Sequence, residues 1–280
     1  MAEPPSWPDG SVSNAGINDC CETPSHGVRH IGAGCGIVTH RVGMEIMPMS
    51  CPRKSGNFEP AIDMTTRKLF YYPSNASMAP HIVLEEIGEP FEMALVDREQ
   101  NAHKSTDYLR LNPNGLIPVL VDGDMVLYEA AAICLHLADA HPESRLAPSL
   151  ATPERAQFYK WLMWLTNTLQ STLIVYFYPH RWVDTGDTQA AKQVQAHAES
   201  KIGALLDLLE AHLRMNNGPW MLGDQYTILD PYAFMLCRWT RNFAKPARER
   251  PVLGRYLQQM LARPAVQRAI KTEGLVAPLV

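Results

Sequence analysis

The sequence predicts an α/β unit followed by an all-α unit, that is, a four-stranded mixed sheet with helices on its faces and then a helical bundle. Three observations point there. Glycine and proline crowd the start of the chain, with 8 of the 17 glycines and 7 of the 22 prolines in residues 1–63. From residue 67 to residue 141, strand-like and helix-like segments alternate in the order βαβ-α-ββα, the signature of a sheet with helices packed on it. After residue 154 the apolar residues recur at helical spacing. The expected boundaries are 1–64 for an N-terminal extension, 65–145 for the α/β unit, 146–154 for a linker and 155–280 for the helical unit.

Residues 1–63 show neither a 3.6-residue nor a 2-residue apolar period. A segment with no continuous apolar face cannot offset its ordering entropy, so disorder is expected there. Met64 directly precedes the first strand-like segment and is expected to be the functional start. The glycine-rich run "GVRHIGAGCGIV" has no strand before it and no helix after it, so it is not a nucleotide fingerprint. Cys20, Cys21, Cys35 and Cys51 form no CxxC pair and have no metal-like spacing with His26, His30 or His40; no metal site is expected.

The ordered pattern begins with "KLFYY", a strand. Residues 73–79 read as a loop, and Pro80 suits the first turn of a helix that runs to about Ile87, with Gly88 just past its end. "FEMALVD" places Phe91, Met93 and Leu95 in alternation, a second strand. A short helix follows near 105–111. "IPVLVDGDMVLY" reads as a hairpin turning at Asp122-Gly123-Asp124. "EAAAICLHLADAHP" reads as a helix closed by Pro142. Beyond the linker, long helices are expected at about 154–178 and 189–215, the second with the stripe Ile202, Leu205, Leu206, Leu209 and Leu213. Further helices begin near 228, cover Val252 to Leu261, and span about 264–272.

The chain is 46% apolar and 19% charged with a net charge of −4, which suits a globular protein and gives no basic field for nucleic acid. No apolar run reaches the ~18 residues of a spanning helix. The first residues lack a basic stretch followed by an apolar core, so no secretory signal is expected and the cytoplasm is the expected compartment.

Three local features bear on function. In "NPNGLIPVL", Pro118 stands directly before a strand. It is either a trans proline opening an edge strand or a cis bond that turns the Ile117 N–H and C=O outward, free to pair with a peptide ligand. In "YEAA", Glu129 lies where a strand gives way to a helix. It either favours the helix start or, with the first helical N–H groups, binds the ammonium and carboxylate of an amino acid. In "YTILDPY", Thr227 and Asp230 fit a capping box, a structural feature whose loss costs roughly 0.5–2 kcal/mol.

In this order and spacing, "RKLFYYPSNASMAPHIVLEEIGEPFE", "YLRLNPNGLIPVLVDGDMVLYEAAAICLHLAD" and "LGDQYTILDPYAF" resemble the glutathione transferase family, with a bacterial, beta/theta-like flavour carried by "PHIVL" and by "TEGL" at 272–275. The resemblance implies a thioredoxin-like fold with a helical second domain, a homodimer, and glutathione as co-substrate without a metal. It implies that Ile117 pairs with the cysteinyl unit beside a cis Pro118, and that Glu129 and the Ala130 N–H hold the γ-glutamyl end. It implies that His103 and Lys104 reach the glycine carboxylate; read alone, they are a solvated loop. The sequence departs from the beta class twice. Ala76 stands where a cysteine is expected, and Gln170 aligns with the active-site histidine. Cys134 reads as a buried core thiol.

Ser77, then Asn75, then Tyr72 are the expected thiol activators. Lowering a thiol from ~8.5 to about 6.5 requires roughly 2.7 kcal/mol. A hydrogen bond to a charged group supplies ~1.5–3 kcal/mol and a helix N-terminus roughly 0.3–1. Trp161, Trp164, Tyr176, Tyr178 and Trp182 are expected to line an electrophile site or to serve as core and dimer contacts. His180 and Arg181 bind an anionic substrate or satisfy helix carbonyls. The expected reaction is attack of the glutathione thiolate on a small apolar electrophile: conjugation, dehalogenation or ether cleavage. Alternatives are isomerisation, glutathione-dependent disulfide reduction, and a non-catalytic binding or regulatory role.

Overall fold

A computed structural model describes residues 67–280 apart from residue 217; the expectations for residues 1–64, including the start at Met64, lie outside the described residues. The chain runs β1 (Lys68–Tyr71), α1 (Met78–Ile87), β2 (Glu92–Leu95), α2 (Thr106–Leu111), β3 (Val119–Asp122), β4 (Met125–Tyr128) and α3 (Ala130–Ala140). The sheet order is β2-β1-β3-β4. β1 and β2 are parallel, joined across α1, while β3 is antiparallel to both β1 and β4. The β3–β4 hairpin turns at Gly123, whose φ of 58° is the left-handed conformation glycine takes at no steric cost. α1 stops at Gly88, also left-handed, whose N–H donates to the Leu84 carbonyl.

Period-2 alternation divides the strand residues between two cores. Leu69 and Leu120 face α1 and α3 and join Ile82, Ile133 and Leu137 in a core that continues into the helical half. Val119 and Val121 face the other way, onto Tyr108 of α2. The helical half follows with α4 (Pro153–Trp164), α5 (Ser171–Phe177), α6 (Thr188–Met215), α7 (Leu229–Trp239), α8 (Pro251–Leu261) and α9 (Pro264–Thr272). No helix among the described residues is long and apolar enough to cross a membrane.

The continuous helix expected over 154–178 is interrupted. Leu165–Gln170 forms a π-helical turn between α4 and α5. The hydroxyls of Thr166, Ser171 and Thr172 donate back to the carbonyls of Leu162, Asn167 and Thr168, a competition that loosens regular helix. The apolar spacing on either side stays helical, so the wider turn leaves no period of its own in the sequence.

Polar clasps fix the halves. The buried Arg155 donates to the Pro148 carbonyl and to Asp139 of α3, both at 2.9 Å. Arg263, the residue before α9, forks onto Glu86 of α1 at 2.6 and 2.9 Å. The capping pair before α7 is present: Asp230 accepts the Thr227 N–H at 2.8 Å, and Thr227 accepts the Leu229 N–H at 3.3 Å. Asp230 also accepts the Met221 N–H at 2.8 Å and the Tyr256 hydroxyl at 3.0 Å, so it ties α7 to α8 as well as capping.

Candidate active site

Three stretches of backbone meet at the open ends of β1, β3 and β4. The first is the turn before α1. Ser74 has φ 64°; the Asn75 N–H donates to the Tyr72 carbonyl at 3.2 Å, and the Met78 N–H to the Asn75 carbonyl at 3.1 Å. Asn75 turns its Oδ1 onto the Ala76 N–H at 2.5 Å, which leaves its Nδ2 as a donor. The Ser77 hydroxyl does not face outward as the sequence reading expects. Ser77 is fully buried; its hydroxyl donates to the Tyr72 carbonyl at 3.1 Å and accepts the Tyr72 N–H at 3.3 Å. The end of β1 has no further strand partner there, so Tyr72's backbone takes the nearest hydroxyl. The Ser77 N–H has no partner among the described residues, as expected of the first donors of a helix.

The second stretch precedes β3. The Ile117-Pro118 bond is cis, and neither the Ile117 N–H nor its C=O has a hydrogen-bond partner among the described residues. The segment is held from behind: the Tyr108 hydroxyl and the Asn112 side-chain amide both donate to the Leu116 carbonyl at 2.8 Å. Lys104 lies against Gly115, where a Cβ would meet its Nζ at 2.7 Å, and donates to the Asn114 carbonyl at 3.4 Å. His103 sits beside it with Nδ1 buried and without a partner among the described residues. Burial, then the charges of Arg98 and Lys104, lowers its pKa.

The third stretch is the β4–α3 junction. Glu129 stands at φ 72°, ψ 110°, a conformation that costs a residue with a Cβ on the order of 1–3 kcal/mol. Its side chain is exposed and makes no capping bond. Ala130, the first residue of α3, is buried.

Across from this junction lies a cavity of about 550 Å³ lined by Glu129, Gln170, Ser171, Trp182, Lys201 and Tyr232 among others. Gln170 enters it from the end of the π turn, its Oε1 accepting the Tyr232 hydroxyl at 2.5 Å. Of the aromatics singled out in the sequence, Trp182 lines the cavity, whereas Trp164 and Tyr176 do not. Trp164 packs edge-on to Trp161 at 5.3 Å and Tyr176 on Phe243 at 4.2 Å, both against the core. Cys134 is fully buried and burial raises its thiol far above the usual range.

Sequence reasoning missed Arg98. It donates to the Tyr178 hydroxyl at 3.2 Å and lies over the Tyr72 ring at 5.8 Å, joining the loop after β2 to the end of α5. Its only local signal is a cation directly after a strand. It also used Glu273 only as part of a resemblance, though that carboxylate bonds the Ser74 N–H at 2.9 Å.

Comparison with known proteins agrees with this layout. Residues 65–139 match the glutathione S-transferase N-terminal domain, and residues 176–273 the glutathione S-transferase C-terminal domain. A glutathione S-transferase of Xanthomonas campestris pv. campestris is 33% identical over 208 residues, covering 74% of this chain and 99% of that one. The crystal structure of a Sulfitobacter glutathione transferase homologue with bound glutathione superposes with a TM-score of 0.68 at 27% identity, covering 76% of this chain and 100% of that one. A beta-class glutathione S-transferase of Sphingomonas chungbukensis superposes at 0.64 with 31% identity, over 75% and 100%. With both domain matches, a thioredoxin-like sheet half and a helical half in one chain, the protein belongs to the glutathione S-transferase family.

Proposed function

We propose that this glutathione transferase holds glutathione across the three backbone stretches and presents its thiolate to a small electrophile. The observation that carries the reading is Glu129, kept at φ 72°, ψ 110° with an exposed, uncommitted carboxylate. Strain of this kind persists where the position serves a ligand. Glu129 suits the α-ammonium of the γ-glutamyl end, and the Ala130 N–H at the start of α3 suits its carboxylate. The free N–H and C=O of Ile117 suit the cysteinyl backbone, in the manner of an added strand. His103, Lys104 and Arg98 supply positive charge for the glycine carboxylate.

Bound glutathione supplies the nucleophilic sulfur. The start of α1 stabilises its ionised form through the Asn75 side-chain amide and the Ser77 N–H. The Ser77 hydroxyl instead holds the turn's shape, and Tyr72 shields one side. Two such donors and the helix end together cover the roughly 2.7 kcal/mol that two pKa units require. The electrophile enters from the helical side, beside Gln170 and Trp182, and conjugation, dehalogenation and ether cleavage all use the same thiolate. The protein is expected to act in the cytoplasm as a homodimer, and residues 1–64 are expected to be dispensable to a 65–145 glutathione-binding unit and a 155–280 helical unit.

Retention on immobilised glutathione followed by a chlorodinitrobenzene assay tests the reading. Retention with turnover supports it. Retention without turnover of any electrophile points to a binding protein, and no retention overturns it. Light scattering on the same sample, with a mass near twice that of one chain, checks the homodimer.

A further inference from the structure

Glu273 follows α9 at the end of the chain, and its side chain is fully buried. Its two oxygens have separate partners. Oε2 accepts the Ser74 N–H at 2.9 Å, and Oε1 lies 2.9 Å from Nδ1 of His81, itself fully buried in the first turn of α1. One carboxylate therefore grips the turn before α1 at its left-handed residue and grips α1 itself one turn later. α7 contributes Arg238, also buried, with Nε and Nη1 unpartnered among the described residues. Its guanidinium is pushed down to about 10 by burial and then by Arg241, with Glu273 acting in the opposite sense. His81 is thus the side chain in direct contact with the carboxylate, Arg238 acting on it only through its charge, with Glu85 3.8 Å from the far nitrogen of His81.

Burying a carboxylate carries a desolvation cost before its partners offset it, and a buried ion pair is a poor way to add stability. What this one does secure is a particular backbone shape. The Ser74 N–H points at it, and the donors proposed to face the glutathione sulfur, the Asn75 amide and the Ser77 N–H, follow within three residues. We propose that Glu273 is a positioning residue for the thiol-activating turn, fixing the orientation of those donors without touching glutathione itself. The inference rests on the reading that this turn holds the sulfur. It places control of the turn in the last few residues of the chain, 199 positions away from Ser74.

The test compares Glu273→Ala, Glu273→Gln and Glu273→Asp with the parent protein in three measurements: amide exchange at Ser74 without ligand, thiolate absorbance of bound glutathione against pH, and steady-state kinetics. In E273A, Ser74 exchange is expected to speed up at least about tenfold. The bound thiol pKa is expected to rise by about one unit and kcat to fall about tenfold, while KM for glutathione stays within about twofold because Ile117 and Glu129 are untouched. E273Q, which can still accept from Ser74 and donate to His81, should recover most of the thiol shift. E273D keeps the charge and folds even if E273A does not. Its shorter arm cannot reach both partners, so its thiol pKa should also rise. A folded E273A or E273D with unchanged thiol pKa and kcat, and only a lower melting temperature, overturns the proposal. If the parent protein shows no titrating bound thiol, the reading of the site fails, and Ser74 exchange alone still decides whether Glu273 holds the turn.

Discussion

Around the candidate site, the sheet side offers backbone and the helical side offers side chains. Ile117 and the start of α3 present N–H and C=O groups whose placement comes from the fold, with Glu129 the main side chain among them. Facing them, the cavity is lined by Gln170, Ser171, Trp182, Lys201 and Tyr232 among others, residues of differing size, charge and hydrogen-bonding capacity. Backbone recognition tolerates sequence change as long as the turns keep their shape. A side-chain wall changes with every substitution. The contrast suits a protein that keeps one co-substrate and varies the other.

Substitutions can break or sharpen this contrast. Glu129→Ala should have the largest effect, weakening glutathione binding about tenfold to a hundredfold, since a hydrogen bond to a charged group is worth ~1.5–3 kcal/mol; calorimetry reads this directly. Glu129→Gly should weaken binding similarly yet raise stability by about 1 kcal/mol, because glycine relieves the left-handed strain. An Ala variant that binds normally would move recognition away from this junction.

Next in size is a pH effect in the helical half. Burial raises the pKa of Asp230 from 3.8 to about 7, against the pull of its hydrogen bonds. The folded chain then holds a proton that the unfolded chain has lost, so this group's stabilisation is present at low pH and is lost as pH rises through 7. Urea unfolding between pH 5.5 and 8 should show a fall on the order of 1–2 kcal/mol that Asp230→Asn removes.

Asn75→Ala should raise the bound thiol pKa by about one unit, roughly 1.4 kcal/mol. Ser77→Ala should lower stability by ~1–2 kcal/mol, because it strips the Tyr72 N–H of its partner, while shifting the thiol less than Asn75→Ala does. If Ser77→Ala shifts the thiol more, the turn presents its hydroxyl to the ligand after all. The smallest effect belongs to Trp182→Ala, expected to change relative rates among electrophiles by about threefold, on the order of 0.7 kcal/mol, with glutathione affinity unchanged.

The sheet half was legible because each element carries its own local signal. The Asp-Gly turn, the Gly88 stop and the alternation around β2 are set within a few residues. The cis bond at Ile117 followed only from the resemblance that the ordered motifs carry, and the strain at Glu129 left no signal in the sequence. The π turn was not legible, since Thr166, Ser171 and Thr172 loosen the helix without disturbing its apolar spacing. Nor was the direction of the Ser77 hydroxyl, which depends on how β1 ends and on the Tyr72 N–H having no strand partner there. Trp164 and Tyr176 look like pocket residues by type, yet Trp164 packs on Trp161, itself against His212 of α6, and Tyr176 packs on Phe243 of the segment after α7. Arg98 and Glu273 act across tertiary distances, and no local period encodes such contacts.

α1 belongs to both halves. Its apolar face shares a core with α3, while Glu86 and His81 bind Arg263 and Glu273 at the end of the chain. An element packed into two cores cannot leave one and remain in the other, so the described chain should melt in one cooperative step rather than two. Glutathione at the sheet side would then raise the melting point of the helical half as much as its own, by the mass action of binding to the folded state alone. A tryptophan probe at Trp220, distant in sequence from every proposed glutathione contact, would report a ligand it never meets.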